Sequence, residues 1–282
     1  MISTRHVLWL LILAAPGLAQ CDRHRPERPP EAPAASPAPQ TVALDRAGMI
    51  AALARAASTY AAGDAPQEAL IGRRFVVRLP FGCQGGAETP EHPGFASWSR
   101  TTDGKDIDLR LDTADWLATP PVDGADLAAA WANADGVWIT RPWLSLDTCP
   151  PPPPAIDPVP LSISEDKTPS EPPPLMAPLA SEQTAGLVFY APVDGSRIGR
   201  REGQPYVHLI RGEVDQPAQP PTHGWRVLIE GRIGAFPDGR SIRCRAPTRD
   251  ARPTCVAAVQ VDKLAFEDGS TGRQLAEWRP GG

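Results

Sequence analysis

From Arg74 to Phe81 the side chains alternate, with Phe75, Val77, Leu79 and Phe81 on one face and Arg74, Val76, Arg78 and Pro80 on the other. A period of two predicts a half-buried β-strand. Cys83 keeps the parity of Phe81 and so is expected to point into the same core. Before this strand, Met49, Leu53, Ala56 or Ala57, and Tyr60 recur at spacings of three and four, which predicts a helix over 44–62 ending at Gly63. After it, 95–100 and 106–111 alternate again, and Thr102-Asp-Gly-Lys105 is a hairpin turn signal between them. A second helix is expected over 123–134, with Leu127 and Trp131 on one face. Gly136 to Thr140 then returns to strand, and Pro142 pushes its end toward a sheet edge.

The carboxyl-terminal part repeats short alternating runs: 186–190, 205–211, 225–233, 241–245, 255–266 and 274–278. Phe236-Pro-Asp-Gly-Arg240 and 267–272 supply turn residues between them. Such spacing predicts an antiparallel sheet or small barrel.

Composition changes the picture in two places. The chain has 35 prolines in 282 residues, and they cluster. One cluster lies in 22–40, and the other in 150–184, where Pro150 to Pro154 run consecutively. Proline-rich polar segments stay extended and act as spacers. The expected layout is therefore a signal peptide at 1–20, a tether at 21–40 and an α+β domain at 41–149. A proline-rich linker at 150–184 and a β-rich domain at 185–282 follow. The fold class is α+β and mostly β, in two β-rich domains. Charge adds little, because a formal net charge of −5 excludes bulk attraction to nucleic acid. Only Lys105, Lys167 and Lys263 are lysines among 28 basic residues, an arginine bias that lowers the weight of any single arginine.

The five cysteines are Cys21, Cys83, Cys149, Cys244 and Cys255. With Cys21 set aside, each expected domain holds two, which predicts disulfides Cys83–Cys149 and Cys244–Cys255 in an exported chain. The first closes a long loop, worth roughly 4 kcal/mol in the chain-entropy model, and the second a short one worth about 3 kcal/mol.

Export is written at the amino terminus. Arg5 and His6 precede the apolar run Val7 to Ala15 and then small residues, the pattern of a secretory signal peptide. The run falls short of the ~20 residues needed to span a bilayer. Leu18-Ala-Gln-Cys21 resembles the lipobox of bacterial lipoproteins, although Gln20 stands where that family usually has Gly, Ala or Ser. The resemblance implies that Cys21 is lipidated and anchors the chain to a membrane. By the enterobacterial pattern, Asp22 then implies retention at the periplasmic face of the inner membrane. Gly17-Leu-Ala19 suits ordinary signal peptidase instead, which would leave a soluble secreted protein.

Candidate chemistry is sparse. Asp103, Asp106, Asp108 and Asp112 lack the ordered spacing of a calcium loop and read as a solvated hairpin. His24, His92, His208 and His223 have no metal-site spacing, and no Gly-x-Ser-x-Gly, Ser-x-x-Lys or Walker-type loop occurs. No cofactor or metal is therefore expected. Arg240, Arg243, Arg245, Arg249 and Arg252 cluster around the Cys244–Cys255 loop. Arg243 and Arg245 share strand parity, and guanidinium forks suit phosphate and carboxylate groups. A weak site for anionic envelope components at Arg243, Arg245, Arg249 and Arg252 is the resulting expectation. The mature part resembles no family of known function. The reading that follows is a non-enzymatic, envelope-tethered binding or assembly module of unknown ligand. Its rival is an envelope hydrolase whose carboxylates are scattered in sequence.

Overall fold

A computed structural model of the protein describes residues 42–64, 70–83, 93–150, 183–192, 205–213 and 215–279. The signal peptide, Cys21, the tether, His24, His92 and most of the proline-rich 150–184 stretch lie outside the described residues. The elements in chain order are α1 (Arg46–Ala61), β1 (Arg74–Phe81), β2 (Phe95–Arg100), β3 (Ile107–Asp112), β4 (Ala114–Asp115) and α2 (Leu127–Ala130). They continue with β5 (Trp131–Trp138), β6 (Ala185–Pro192), β7 (Tyr206–Ile210), β8 (Trp225–Ile233), β9 (Ile242–Arg245), β10 (Thr254–Asp268) and β11 (Gln274–Trp278). The class is α+β and mostly β.

Strand β10 is the hub. The larger sheet runs β1-β8-β10-β6-β5-β4, and β9 and β11 also pair with β10. At 15 residues β10 is long enough to serve β9 and β6 with its first half and β8 and β11 with its second. Among the described strand pairs only β10–β6 is parallel. A β-bulge lies between Val261 and Lys263, leaving Asp262 as the extra residue. Before it, Cys255, Ala257 and Val259 face the main core. After it, Leu264 and Phe266 do. One inserted residue shifts a strand's facing by one position, so the bulge lets both halves of β10 face the same core. Gly231 sits opposite it, where an added Cβ would meet the carbonyl oxygen of Gln260 at 2.1 Å.

The smaller sheet, β2-β3-β7, meets the main core through aromatic rings. Trp98 of β2 packs on Trp225 of β8 with ring centroids 5.0 Å apart, and Tyr206 of β7 meets Trp278 of β11 at 5.2 Å. Helix α1 buries Met49, Ala52, Leu53 and Ala56 in this same core. A second cluster on the opposite face contains Trp116, Trp131, Trp138, Phe236 and Val256. There Trp116 lies across two glycines on neighbouring strands. A Cβ at Gly136 would fall 2.0 Å from its ring, and one at Gly186 2.7 Å.

Three expectations need correction. The two β-rich stretches are not separate domains. β1 pairs with β8 over its whole length, β5 with β6, and β3 with β7. Residues 41–282 accordingly form one compact unit. A proline-rich composition does not say that the ends of the segment lie apart. Trp138 is paired with Gly186, so this segment connects neighbouring strands of one sheet. Second, the expected helix over 123–134 is a single turn, after which Trp131 begins β5. Pairing with β6 and burial of Trp131 and Ala134 override the alanine-rich helical preference. Third, Cys83 lies beyond the end of β1, after Gly82 with φ +69°, and is half-buried.

The bulge yields a stability prediction. Gly231→Ala places a methyl group against backbone, which cannot swing aside as a side chain would. Unfolding by denaturant should show a loss of about 2 to 3 kcal/mol. A loss below ~0.5 kcal/mol would mean that the bulge does not need this close approach.

Candidate functional site

Two surfaces carry the side chains with something to offer. The first is the strap 139–149, which leaves β5 and ends at Cys149. It lies along the free edge of β1. Alternate backbone groups of β1 point away from β8, and each needs a partner. The Leu44 amide donates to the Arg74 carbonyl at 2.9 Å, and the Val76 amide donates to the Leu44 carbonyl at 2.7 Å. Further along, the Arg46 guanidinium donates to the Arg78 carbonyl at 3.4 Å, and the Thr140 hydroxyl donates to the Pro80 carbonyl at 3.3 Å.

Arg46 is the first residue of α1, which Asp45 caps by accepting from the Gly48 amide at 2.8 Å. Only 1% of Arg46 is exposed. Besides Arg78, it donates to the carbonyls of Leu144 at 3.2 Å, Arg141 at 3.3 Å and Thr140. Burial pushes its pKa down to about 10, with Asp147 opposing and Arg141 adding to the shift. Asp147 is itself shifted up, chiefly by burial, against the pull of Arg78 and Arg46. At neutral pH the guanidinium stays charged and fastens the strap to the sheet edge.

The far end of the strap is covalently held. Cys149 is bonded to Cys83 with Cα atoms 5.1 Å apart. Arg141, at φ +47°, places Nη1 3.2 Å from the Cys83 sulfur. Between these fastenings the strap turns through a Leu144 amide to Arg141 carbonyl bond of 2.9 Å. Trp143 and Leu146 are left facing solvent, 55% and 47% exposed. The sequence reading missed both residues. An exposed tryptophan is legible only once the strap's backbone is known to be pinned beneath it.

The second surface is the arginine cluster. Cys244 and Cys255 are bonded and stand directly opposite one another on β9 and β10. Arg243 does not project with Arg245, as strand parity had suggested. Its side chain lies over the Phe236 ring at 4.7 Å and is 10% exposed. It donates to both carboxylate oxygens of Asp126, at 2.9 and 2.7 Å, to Asp238 at 3.2 Å and to the Asp123 carbonyl at 2.8 Å. Its donors are committed within the protein, which removes it from the expected anion site. Arg245, Arg249 and Arg252 are exposed. Arg243 instead staples the 123–126 segment onto the sheet.

Beside that staple lies a groove of about 580 Å³, lined by Tyr60, Asp64, Asp123, Asp126, Asp238 and Arg240 among others. Among the described residues no group of three or more His, Cys, Asp or Glu could hold a metal ion. Two aspartates of the β2–β3 hairpin, Asp103 and Asp106, have internal tasks. Asp103 accepts from the Thr101 hydroxyl at 2.6 Å, and Asp106 accepts from the Gly212 amide at 3.0 Å. His208 lies on β7 opposite Leu109, with its pKa lowered by burial, and His223 is exposed.

These features define a two-sheet, two-disulfide α+β protein with a braced, tryptophan-bearing strap. No protein-family model matches the chain, and comparison with curated proteins and with solved structures likewise finds no similar protein.

Two predictions follow from the fastenings. Arg46→Met removes the donor shared by four carbonyls and should lower stability by about 3 kcal/mol in denaturant unfolding. Arg46→Lys should recover only part of this, because an ammonium cannot span the same acceptors. Equal stability of the Met variant and wild type would contradict the bracing role. The Asp126–Arg243 pair is sensitive to acid. Hydrogen bonding to Arg243 holds the Asp126 pKa below its usual value of 3.8. A depressed folded-state pKa gives stability that is complete above the unfolded-state pKa and lost as pH falls through the folded one. The staple should therefore weaken below about pH 4, and Asp126→Asn should flatten that part of the stability–pH curve. The proposed staple fails if wild type and Asp126→Asn give parallel curves from neutral pH to pH 3.

Proposed function

We propose that the protein is an exported, envelope-tethered periplasmic module that works by binding or assembly, anchored to a membrane through lipid on Cys21. The observation that carries this reading is the braced strap. A protein that acts by contact benefits from an apolar anchor presented on a backbone already ordered, since less freedom is then lost on association. Trp143 is such a residue, fixed between a buried arginine and a disulfide. The two bonded cysteine pairs suit an oxidising compartment. The proline-rich stretch after Cys21 gives the anchor reach, and tethering raises the local concentration of envelope partners so that weak contacts become effective. Arg245, Arg249 and Arg252 are the cations left to meet anionic envelope groups.

Intact mass of the mature protein tests the anchor. The expected chain begins at Cys21 and carries the added mass of a diacylglyceryl group, which Cys21→Ser abolishes. A mature chain beginning at an unmodified Gln20 and recovered in the soluble periplasmic extract would rule the anchor out.

A further inference from the structure

Among the described residues β9 pairs with β10 alone, so one side of it is a sheet edge. The Ala258 amide of β10 donates to the Ser241 carbonyl at 3.0 Å, one residue before β9 begins. Opposite Cys244, the Cys255 amide turns the other way and donates to the Thr184 carbonyl at 2.9 Å, on the β6 side. Backbone groups alternate in direction along an antiparallel strand. Those of Arg243 and Arg245 therefore point to β10, and the N–H and C=O groups of Ile242 and Cys244 point outward. Among the described residues no group is bonded to them across this edge. Unpaired groups in such a row are a template for a further strand.

This edge opens into the groove beside the Arg243 staple, which Ile242 and Cys244 line. Ile242 belongs to the main core with α1, whereas Arg243 turns to the opposite face, over Phe236. Tyr60 and Asp64 thus flank one side of the strand, and Asp123 and Asp126 the other. Charge in the groove is unbalanced. Arg243 is bonded to Asp126 and Asp238, and Arg240 lies 3.8 Å from Asp238. The carboxylates of Asp64 and Asp123 are exposed and take no bond among the described residues, which leaves the groove negative.

We infer that the groove takes an extended basic peptide segment of a partner protein, which adds to β9 as a further strand. The inference rests on the reading of this protein as a binding module, but on neither the lipid anchor nor the strap. Hydrogen bonds to Ile242 and Cys244 supply affinity that does not depend on the peptide's sequence, and side-chain contacts supply the choice of partner. Directly paired residues share a face of the sheet. Peptide residues opposite Ile242 and Cys244 therefore meet Tyr60 and Asp64, and the residue opposite Arg243 meets Asp123. A lysine or arginine suits the first position, with its stem along the Tyr60 ring and its charge at Asp64.

The test uses the mature chain from residue 21 carrying Cys21→Ser, exported through a cleaved signal so that both disulfides form. The probe is a short blocked peptide of alternating lysine and valine, followed by calorimetry and by amide hydrogen exchange. It should bind, more weakly at high salt, and slow exchange at Ile242 and Cys244 but not at Val207 and Leu209 of β7. Methylating the peptide's alternate backbone nitrogens should abolish binding, and replacing its lysines by glutamates should do the same. Asp64→Asn with Asp123→Asn should weaken binding roughly fivefold to tenfold, whereas Asp215→Asn with Asp262→Asn, outside the groove, should leave it unchanged. Thermal unfolding confirms that each variant folds. Equal binding by the glutamate or methylated peptide, an unaffected Asp64–Asp123 variant, or protection at β7 instead of β9 overturns the inference. So does protection of Ile242 and Cys244 without peptide: if it grows with protein concentration, a second copy is the occupant, and if it does not, the chain covers its own edge. Lipidation is judged separately by mass, so an unlipidated chain that binds the peptide refutes the anchor and not this site.

Discussion

A sheet edge left open to water would invite pairing with other chains, and the way this protein closes one decides much of its structure. Among the described residues no strand covers the outer side of β1 along its length. The cover is assembled from a single backbone contact at Leu44, the buried Arg46 guanidinium and the Thr140 hydroxyl. Burying an arginine without a directly paired carboxylate is costly. Four N–H···O bonds from one guanidinium to four carbonyls offset that cost in a way no lysine could. Because one side chain serves both the edge and the strap, helix α1, strand β1 and the 139–149 segment are fixed together.

The opposite requirement, satisfying many neighbours at once, falls on β10. A strand has two edges, yet β10 pairs with four others by serving two along each edge. That needs length, and length in a twisted sheet needs a correction of facing, which the bulge near Asp262 provides. The polar face of this region is balanced by charge. Glu267, only 5% exposed, accepts from Arg78 at 3.0 Å and lies 3.2 Å from Arg226, while Lys263 pairs with Glu230 at 3.1 Å. Arg78 of β1 thus meets an acid supplied by a segment almost 200 residues later in the chain.

This separation explains what could and could not be seen in the sequence. The period-two runs marked β1, β2, β3, β8 and β11 closely, because each has one face in a core and one outside it. Both cysteine pairs were legible by parsimony and compartment. The arrangement was not, because strand partners are chosen by complementary faces and not by nearness along the chain. Proline clusters carried no information on whether the flanking strands were adjacent. The bulge did leave a trace: apolar positions fall on 257, 259 and 261, then on 264 and 266, a parity switch within one run. Arg243 illustrates the limit at a site. Parity placed it on the correct strand, but only tertiary structure supplies Asp126, more than 100 residues away, to consume its charge.

The same logic bears on why a tryptophan stands exposed. A residue of that size in water is stabilised by nothing, and a flexible loop could turn it inward over nearby apolar surface. Here the backbone on either side is committed: upstream by Arg46 and Thr140, downstream by Cys149, and within by the Arg141–Leu144 turn, whose first residue is held at a positive φ that disfavours most side chains. Inward rotation would break the bonds that Arg46 makes to the strap carbonyls. The fastening that closes the sheet edge therefore also keeps Trp143 presented outward, and edge protection and display are one constraint. Any partner that covers Trp143 meets a surface whose ordering was completed during folding, so most of its contact energy is available for binding.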